Sequence, residues 1–351
     1  MSMKIILPTK IPPITGAPIT AYPLGIALTN PQNYGWLYSH YINWSSKKKD
    51  QMRNITDPYL GIFGGWVFGG VHPINMSFHY KDKIFITKEN IVDHLIKIFS
   101  NGMYIFTYIN HKHFLGKHNY NHHNILIYGI DIESKNIYVW GYKDKLFQQY
   151  IISIESFITA FFDEEYDNMQ KCFILLKANP VYSPYSYEDA KIQFTDYYNS
   201  RLSFDKIDNY IDNKAGCYSF KNMETEYEFI TESQKKENYY HGFDCYEFLE
   251  WYVMNYRSLS DKIDMRVLRP VMEHKNMLFD RFTFYKVNEI YEIDYEKYLD
   301  LCMQIKSNAN IMFQKASKNI ITEADCSNLV PYLEKIREDE YKLLSDFVKY
   351  I

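Results

Sequence analysis

Several features that would indicate common protein classes are missing from this chain of 351 residues. It has no run of about 18 apolar residues, so no segment is predicted to cross a membrane, and the apolar start Ile5-Ile6-Leu7 is broken by Pro8, which argues against a secretory signal. The five cysteines are scattered without a CxxC pair, which is typical of free thiols in a reducing compartment. We therefore expect a cytoplasmic protein without a membrane partner.

Strong charge and phosphate-binding motifs are also lacking. The net charge of -4 and the pI near 6.3 give no general attraction to nucleic acid, so no nucleic-acid partner is expected. The glycine-rich stretch 61–70 has no Gly-Lys-Ser/Thr ending, which disfavours nucleotide binding. The histidines at 111, 113, 118, 122 and 123 have no carboxylate or cysteine among them, so we predict neither a metal nor another bound cofactor.

Hydrophobic periodicity divides the chain into two parts of different character. The first part combines predicted helices at 91–99 and 154–162 with predicted strands at 103–109, 123–130, 137–142 and 172–176. In the second part the pattern predicts helices at 186–200, 242–258, 266–287, 293–315 and 329–350. The sequence thus predicts an α+β protein, with an antiparallel-sheet domain over residues 1–185 and a helical domain over 186–351.

The most distinctive stretch runs from His122 to Asp131, where a histidine stands at the mouth of an apolar strand. A sheet holds such a histidine rigidly while its ring faces a cleft, so we predict that His123 is a general base. If residues 131–136 form a hairpin turn, symmetric pairing puts Asp144 opposite His123, where its carboxylate would orient the imidazole. Asp131 lies eight residues along the strand and is expected to cap the turn instead.

Five of the 12 prolines fall between residues 8 and 23, and a buried helix is predicted to begin at Tyr22 with Pro23 in its first turn. The start of a helix has unpaired amide groups and the positive end of the macrodipole. It therefore offers a suitable position for a reactive thiolate or an oxyanion.

Two motifs of the chain carry a resemblance to a known family. The pattern HxILIYGxD at 123–131, followed by a hairpin, resembles the papain-like acyltransferases related to the enzyme of butirosin biosynthesis and their relatives beside nonribosomal peptide assembly lines. The segment Glu273-His274-Lys275 is similar to a second, helical motif of those relatives. The plainer interpretation of that segment is a packed helix whose Glu273, Lys275 and Arg281 are solvated or ion-paired.

The resemblance implies a papain-like first domain whose nucleophilic cysteine heads the N-terminal helix. Position 21 matches that cysteine, but this chain has Ala21 there. Ala21 is either a Cys→Ala substitution introduced to trap substrate, which the Met1-Ser2-Met3 start favours, or the natural residue of a pseudoenzyme. We favour the substitution, because His123 and Asp144 have little reason to persist around a dead site.

By resemblance, the function is that of an amide-forming acyltransferase of antibiotic biosynthesis. A thiolate at position 21 would take an acyl or thioamide chain from the phosphopantetheine thioester of a peptidyl or acyl carrier protein. It would pass the chain to a primary amine or diamine, as in an amide synthetase of the closthioamide type, with the Ala21 backbone amide as an oxyanion donor. The alternatives are non-catalytic binding of the natural product and a cysteine peptidase, which the missing upstream glutamine at Thr15-Gly16 disfavours.

Overall fold

The computed structural model describes residues 3–48, 60–63, 73–80, 86–115, 122–143, 146–163, 172–201, 239–259, 262–322 and 326–351. Within these ranges the fold is α+β, with an antiparallel sheet and a helical C-terminal region, which confirms the predicted class. The helices are α1 (Pro18–Ala27), α2 (Tyr34–His40), α3 (Ile91–Ser100), α4 (Lys112–Leu115), α5 (Ile154–Phe161), α6 (Tyr187–Tyr198), α7 (Cys245–Asn255), α8 (Met265–Val287), α9 (Tyr295–Thr322) and α10 (Val330–Phe347). The strands are β1 (Lys4–Ile6), β2 (Asn43–Lys47), β3 (Leu60–Phe63), β4 (Ile74–Tyr80), β5 (Met103–Asn110), β6 (His122–Asp131), β7 (Asn136–Lys143), β8 (Leu146–Ser153), β9 (Cys172–Ala178) and β10 (Tyr239–His241).

The chain divides into two compact units, and each is built from two stretches of sequence. The first unit comprises Met1–Gln32 and Val71–Tyr182, and the second comprises Asn33–Gly70 and Ser183–Ile351. The predicted division at residue 185 assigned Asn33–Gly70 to the first domain, which differs from this grouping. The segment groups with the second unit because β2 pairs with β10 and because Trp44 is fully buried in the core formed by the C-terminal helices.

The first unit is an antiparallel sheet covered on both faces. Its described strands run in the order β4-β9-β5-β6-β7-β8, and β1 pairs with the end of β6. Side chains alternate between the faces along each strand. Ile109 and Ile125 point to the face where Phe157 and Phe161 of α5 pack, together with α3. The other face is covered by α1.

Helix α1 begins four residues earlier than predicted. The helix starts at Pro18, whose fixed φ and missing N–H suit the first helical position, so Pro23 lies inside the helix rather than in its first turn. Its contact with the sheet depends on one glycine. A Cβ on Gly25 would lie 2.1 Å from Cζ3 of Trp140 and 2.9 Å from the carbonyl oxygen of Lys10. The absence of a side chain at Gly25 therefore sets how closely α1 approaches the sheet.

The second unit is mainly helical, as predicted. Each helix expected beyond residue 186 is present, and α9 extends past its predicted end at 315 to Thr322. The small sheet β10-β2-β3 accompanies these helices. The apolar core of this unit is rich in aromatic rings, and it includes Trp44, Phe194, Phe248, Phe282 and Phe347. Much of the chain's aromatic content is accounted for by this packing.

The close approach at Gly25 generates a prediction about stability. Gly25→Ala forces a methyl group into Trp140, so we expect a loss of about 1–3 kcal/mol of unfolding free energy, measured by urea denaturation. Because the first obstacle is a side chain, adding Trp140→Phe should recover part of that loss. Gly102→Ala is the control, since its Cβ meets nothing within 4 Å and its positive φ of 67° alone costs about 1 kcal/mol. Equal losses at both glycines, without rescue at position 140, would contradict this account.

Candidate functional site

His123 is the second residue of β6, and its backbone is fixed by pairing with Ile109 of β5. Its side chain is half-buried, and Nδ1 lies 3.1 Å from the carbonyl oxygen of Asn124. A carbonyl can only accept, so in this contact Nδ1 carries the proton and Nε2 carries the lone pair. Burial lowers the pKa of His123, and the bond to the Asn124 carbonyl partly opposes that shift. The imidazole is therefore neutral near pH 7, which is the form a general base requires.

The predicted orienting residue, Asp144, lies outside the described residues. The hairpin begins as expected, with Asp131 paired to Asn136, and then shifts register between Ile127 and Gly129. This β-bulge adds one residue to β6, so continuing the observed register puts Lys143 rather than position 144 opposite His123. The symmetric pairing used to select Asp144 was wrong because it did not allow for this bulge, although a glycine inside a strand, here Gly129, can mark one.

Asp131 has the role that was expected of it. Its Oδ1 accepts the backbone N–H of Ser134 at 3.1 Å, which caps the turn, and this prediction is confirmed. The same backbone bond lowers the pKa of the Asp131 carboxyl, and Lys4 lowers it further. A carboxylate held in its charged form by a turn amide is a structural group rather than a base.

Ala21 is fully buried and lies one turn inside α1. Its N–H donates to the carbonyl oxygen of Ala17 at 2.9 Å. The expectation that this amide would stabilise an oxyanion is therefore wrong, because the earlier start of the helix places position 21 among the hydrogen-bonded residues.

Ala21 and His123 are connected in the structure through a chain of intervening contacts among the described residues. Tyr22 of α1 packs on the face of the sheet that carries Phe106, at a ring separation of 5.3 Å. The side chain of His123 leaves the strand on the opposite face, which it shares with Ile109. At the strand end the His123 ring nevertheless contacts the Tyr142 ring at 5.7 Å. The hydroxyl of Tyr142 donates to the carbonyl oxygen of Thr15 at 2.6 Å, three residues before α1 begins. One contact path thus connects the histidine to the entry of the helix.

A second imidazole at the same end of the sheet was not predicted to have a role. His113 of α4 bonds the carboxylate of Asp163, with Nε2 and Oδ2 2.5 Å apart. In sequence the two residues are 50 positions apart, and the histidine-rich stretch contains no carboxylate of its own. The density of histidines was a usable signal, but the partner could be found only from the fold.

The segment Glu273-His274-Lys275 lies in the core of the second unit, on α8. The Lys275 ammonium lies 2.8 and 2.7 Å from the two carboxylate oxygens of Glu340 on α10, and neither side chain has any exposure. Tyr197 and Tyr246 donate to the same carboxylate at 2.8 and 2.7 Å. Burial lowers the pKa of Lys275 to about 8, and the Glu340 carboxylate opposes that shift, so the ammonium keeps its charge at pH 7.

Two further contacts of this segment lie inside the core, one made by Lys275 and one by Arg281. The Lys275 ammonium lies 4.0 Å from the centre of the Trp44 ring, which adds a cation–π contact. Arg281 is fully buried and donates to the carbonyl oxygens of Tyr38 and Tyr41 at 2.9 and 2.6 Å, at the end of α2. These contacts favour the interpretation of a packed, ion-paired helix.

A scan against protein-family models finds no match, and a search of curated proteins finds no significant relative. Among the described residues, no group of three or more histidine, cysteine, aspartate or glutamate side chains is placed to hold a metal ion. None of the helices in the described ranges combines the length and apolar composition needed to cross a membrane.

The buried ion pair generates a prediction about stability. Lys275→Met leaves the Glu340 carboxylate buried without its cation, so we expect a loss of about 3–5 kcal/mol in urea denaturation. The double variant K275M/E340Q should be more stable than K275M, because glutamine is neutral and can still accept from the two tyrosines. Lys286→Met removes an exposed pair with Glu296 and is the control, with a change of about 0.5 kcal/mol or less. A loss in K275M as small as that in K286M would contradict the proposed importance of the pair.

His274 generates a prediction about pH. Its Nε2 donates to the Ile42 carbonyl at 2.6 Å, and Lys275 donates to its Nδ1 at 3.0 Å, so the folded protein requires a neutral ring. Burial, with the nearby Lys275 charge, holds the pKa of His274 well below its usual value. The unfolded chain therefore binds the extra proton first, and unfolding free energy should fall below about pH 6.5 by up to about 1.4 kcal/mol per pH unit from this group. Denaturation between pH 7 and pH 5 should show a shallower slope in His274→Gln, and an unchanged slope would contradict the assignment.

Proposed function

We propose that the first unit carries the site of a papain-like acyltransferase that forms amides. The observation that supports this most directly is the neutral, half-buried imidazole of His123 at the mouth of β6, linked through Tyr142 to Thr15 at the entry of α1. The proposal also rests on the resemblance of the 123–131 stretch to that family, whose nucleophilic cysteine matches position 21. It assigns the base to His123 and the nucleophile to position 21.

The chemistry requires a thiol at position 21, which this chain replaces by Ala21. Nε2 of His123 would take the thiol proton, and the thiolate would attack the thioester carbonyl of the carrier-bound chain. A new C–S bond forms, the old one breaks, and the proton leaves with the phosphopantetheine thiol. A primary amine or diamine would then attack the acyl group, giving an amide and restoring the thiol. No ATP is needed, because one thioester is exchanged for another before the downhill aminolysis.

The proposed partners are a peptidyl or acyl carrier protein and a small amine. An aromatic acyl chain would suit an aromatic lining, but the rings beside α1 already pack on one another. Tyr22 lies 5.7 Å from Phe147 and 6.4 Å from Trp140, and all of these contacts belong to the packing of the unit. The aromatic content therefore gives no information about the acyl chain.

A second candidate function is non-catalytic binding of the natural product. It is favoured by the state of Ala21, which is fully buried, has no nucleophilic atom and has its amide bonded within the helix. A natural pseudoenzyme would retain the scaffold and a ligand site while needing neither exposure nor chemistry at this position. The two functions therefore differ in what a restored thiol does.

The test restores that thiol. Ala21→Cys is incubated with an acyl N-acetylcysteamine thioester and then a diamine, and intact mass is followed. Transferase function predicts an acyl adduct followed by free amide, with the rate reduced at least about 100-fold in A21C/H123Q. The control is Ala27→Cys, which places an equally buried thiol near the end of the same helix.

Acylation of A21C no faster than that of A27C would contradict the transferase. In that case, saturable binding of the unreacted acyl compound to the protein with Ala21, measured by calorimetry, would support the second candidate. Absence of both acylation and binding would remove both functions.

A further inference from the structure

The pair formed by His113 and Asp163 has the construction of an acid–base site. His113 lies in α4, directly after β5, and Asp163 lies two residues after the end of α5. The carboxylate is 9% exposed and the imidazole 24%, so the anion is sheltered while the ring reaches solvent. This differs from the many surface ion pairs of the chain, in which one or both partners are largely exposed.

The carboxylate of Asp163 is held by more than the histidine. The side-chain amide of Asn110 donates to the same Oδ2 at 2.9 Å, and the Lys112 ammonium lies 3.2 Å from it. Asn110 is the last residue of β5 and pairs with His122, the neighbour of His123. The sheet therefore fixes the carboxylate, and the carboxylate fixes the ring.

This contact determines which nitrogen of His113 can act. An ionised carboxylate only accepts hydrogen bonds, so Nε2 of His113 carries a proton, and in the tautomer with one ring proton the lone pair is on Nδ1. Within the described residues, no group bonds Nδ1 of His113. The ring is thus oriented at one nitrogen and open at the other, which is the arrangement of a carboxylate-supported general base.

His123 differs in the group at its oriented nitrogen. Its Nδ1 meets the backbone carbonyl of Asn124, which fixes the ring without offering a negative charge. The Asp163 carboxylate stabilises the positive charge that develops when His113 takes a proton. By this criterion His113 is the better equipped of the two imidazoles.

We propose that His113, positioned by Asp163, is the general base of a second catalytic site, which hydrolyses acyl thioesters with water as the nucleophile. Nδ1 of His113 takes a proton from water as the water oxygen bonds to the acyl carbon. The C–S bond then breaks, and the proton passes to the leaving sulfur, which gives a carboxylic acid and a thiol. The substrate class rests on the proposed function, whereas the base and its geometry do not. The reaction does not involve position 21.

The test uses the protein with Ala21 unchanged and a short acyl-CoA thioester, with thiol release followed by a chromogenic disulfide. We expect turnover that falls at least about 100-fold in His113→Gln. Asp163→Asn keeps an acceptor oxygen for Asn110 and Lys112 but removes the charge, so it should lose activity at least about tenfold while its thermal melting midpoint changes little. The control is His94→Gln on α3 of the same unit, which should retain full activity.

Added imidazole separates catalysis from a structural role. Imidazole should restore part of the activity of His113→Ala, in which it can occupy the vacated position, and it should restore less in H113A/D163N. Hydrolysis that is undetectable in the unchanged protein, or equal in H113Q and H94Q, would overturn the proposal.

These outcomes are independent of the transferase test. Hydrolysis that needs His113 without any adduct on A21C supports this site and contradicts the transferase. An adduct on A21C without hydrolysis by the unchanged protein gives the opposite result.

Discussion

A lysine–glutamate pair with no exposure to water organises the second unit. Removing both charges from water is costly, and the cost is offset only when the geometry is good and the remaining hydrogen-bonding capacity is filled. Here Lys275 contacts both oxygens of Glu340, the hydroxyls of Tyr197 and Tyr246 complete the carboxylate, and the ring of Trp44 lies beneath the ammonium. These five residues come from α8, α10, α6, α7 and β2. One polar cluster therefore fixes five elements relative to one another, and it explains why the segment around Trp44 groups with the C-terminal helices.

The same cluster weakens the Glu273-His274-Lys275 motif as evidence for function. A dense run of charges on a helix can indicate a site, but Lys275 and Arg281 are buried and make their contacts within the core. His274 is hydrogen-bonded to both Ile42 and Lys275, and Arg281 donates to a backbone carbonyl of α2. Side chains that are buried and hydrogen-bonded within a core cannot also bind a substrate without unfolding their surroundings. The helical motif therefore supports a shared scaffold at most, and the functional proposal depends on the first unit.

The sequence was sufficient for the fold class and for most helices and strands, but it was insufficient for the site. Helices and strands follow from hydrophobic periodicity, which is local, and so the elements from Ile91 to Phe347 were largely predictable. The bulge beyond Ile127 was not predicted although Gly129 stands beside it, because a glycine inside a strand permits a bulge without requiring one and the apolar residues on either side fit both registers. Asp163 was not identifiable either, because its role depends on how α4 and α5 pack and not on its neighbours in the chain.

Two imidazoles at one end of a sheet can differ in chemistry because different groups meet their ring nitrogens. His123 is neutral because it is partly buried, and its carbonyl partner decides which nitrogen is basic but gives no charge to balance a proton. His113 is more exposed, and its sheltered carboxylate supplies both orientation and compensating charge. A thiol nucleophile suits the first arrangement, because a thiolate next to the protonated ring forms its own ion pair. Water does not form a stable anion that could pair with the protonated ring. The arrangement of His113 and Asp163, in which the carboxylate supplies the negative charge, is therefore the one suited to activating water, and it does not involve position 21.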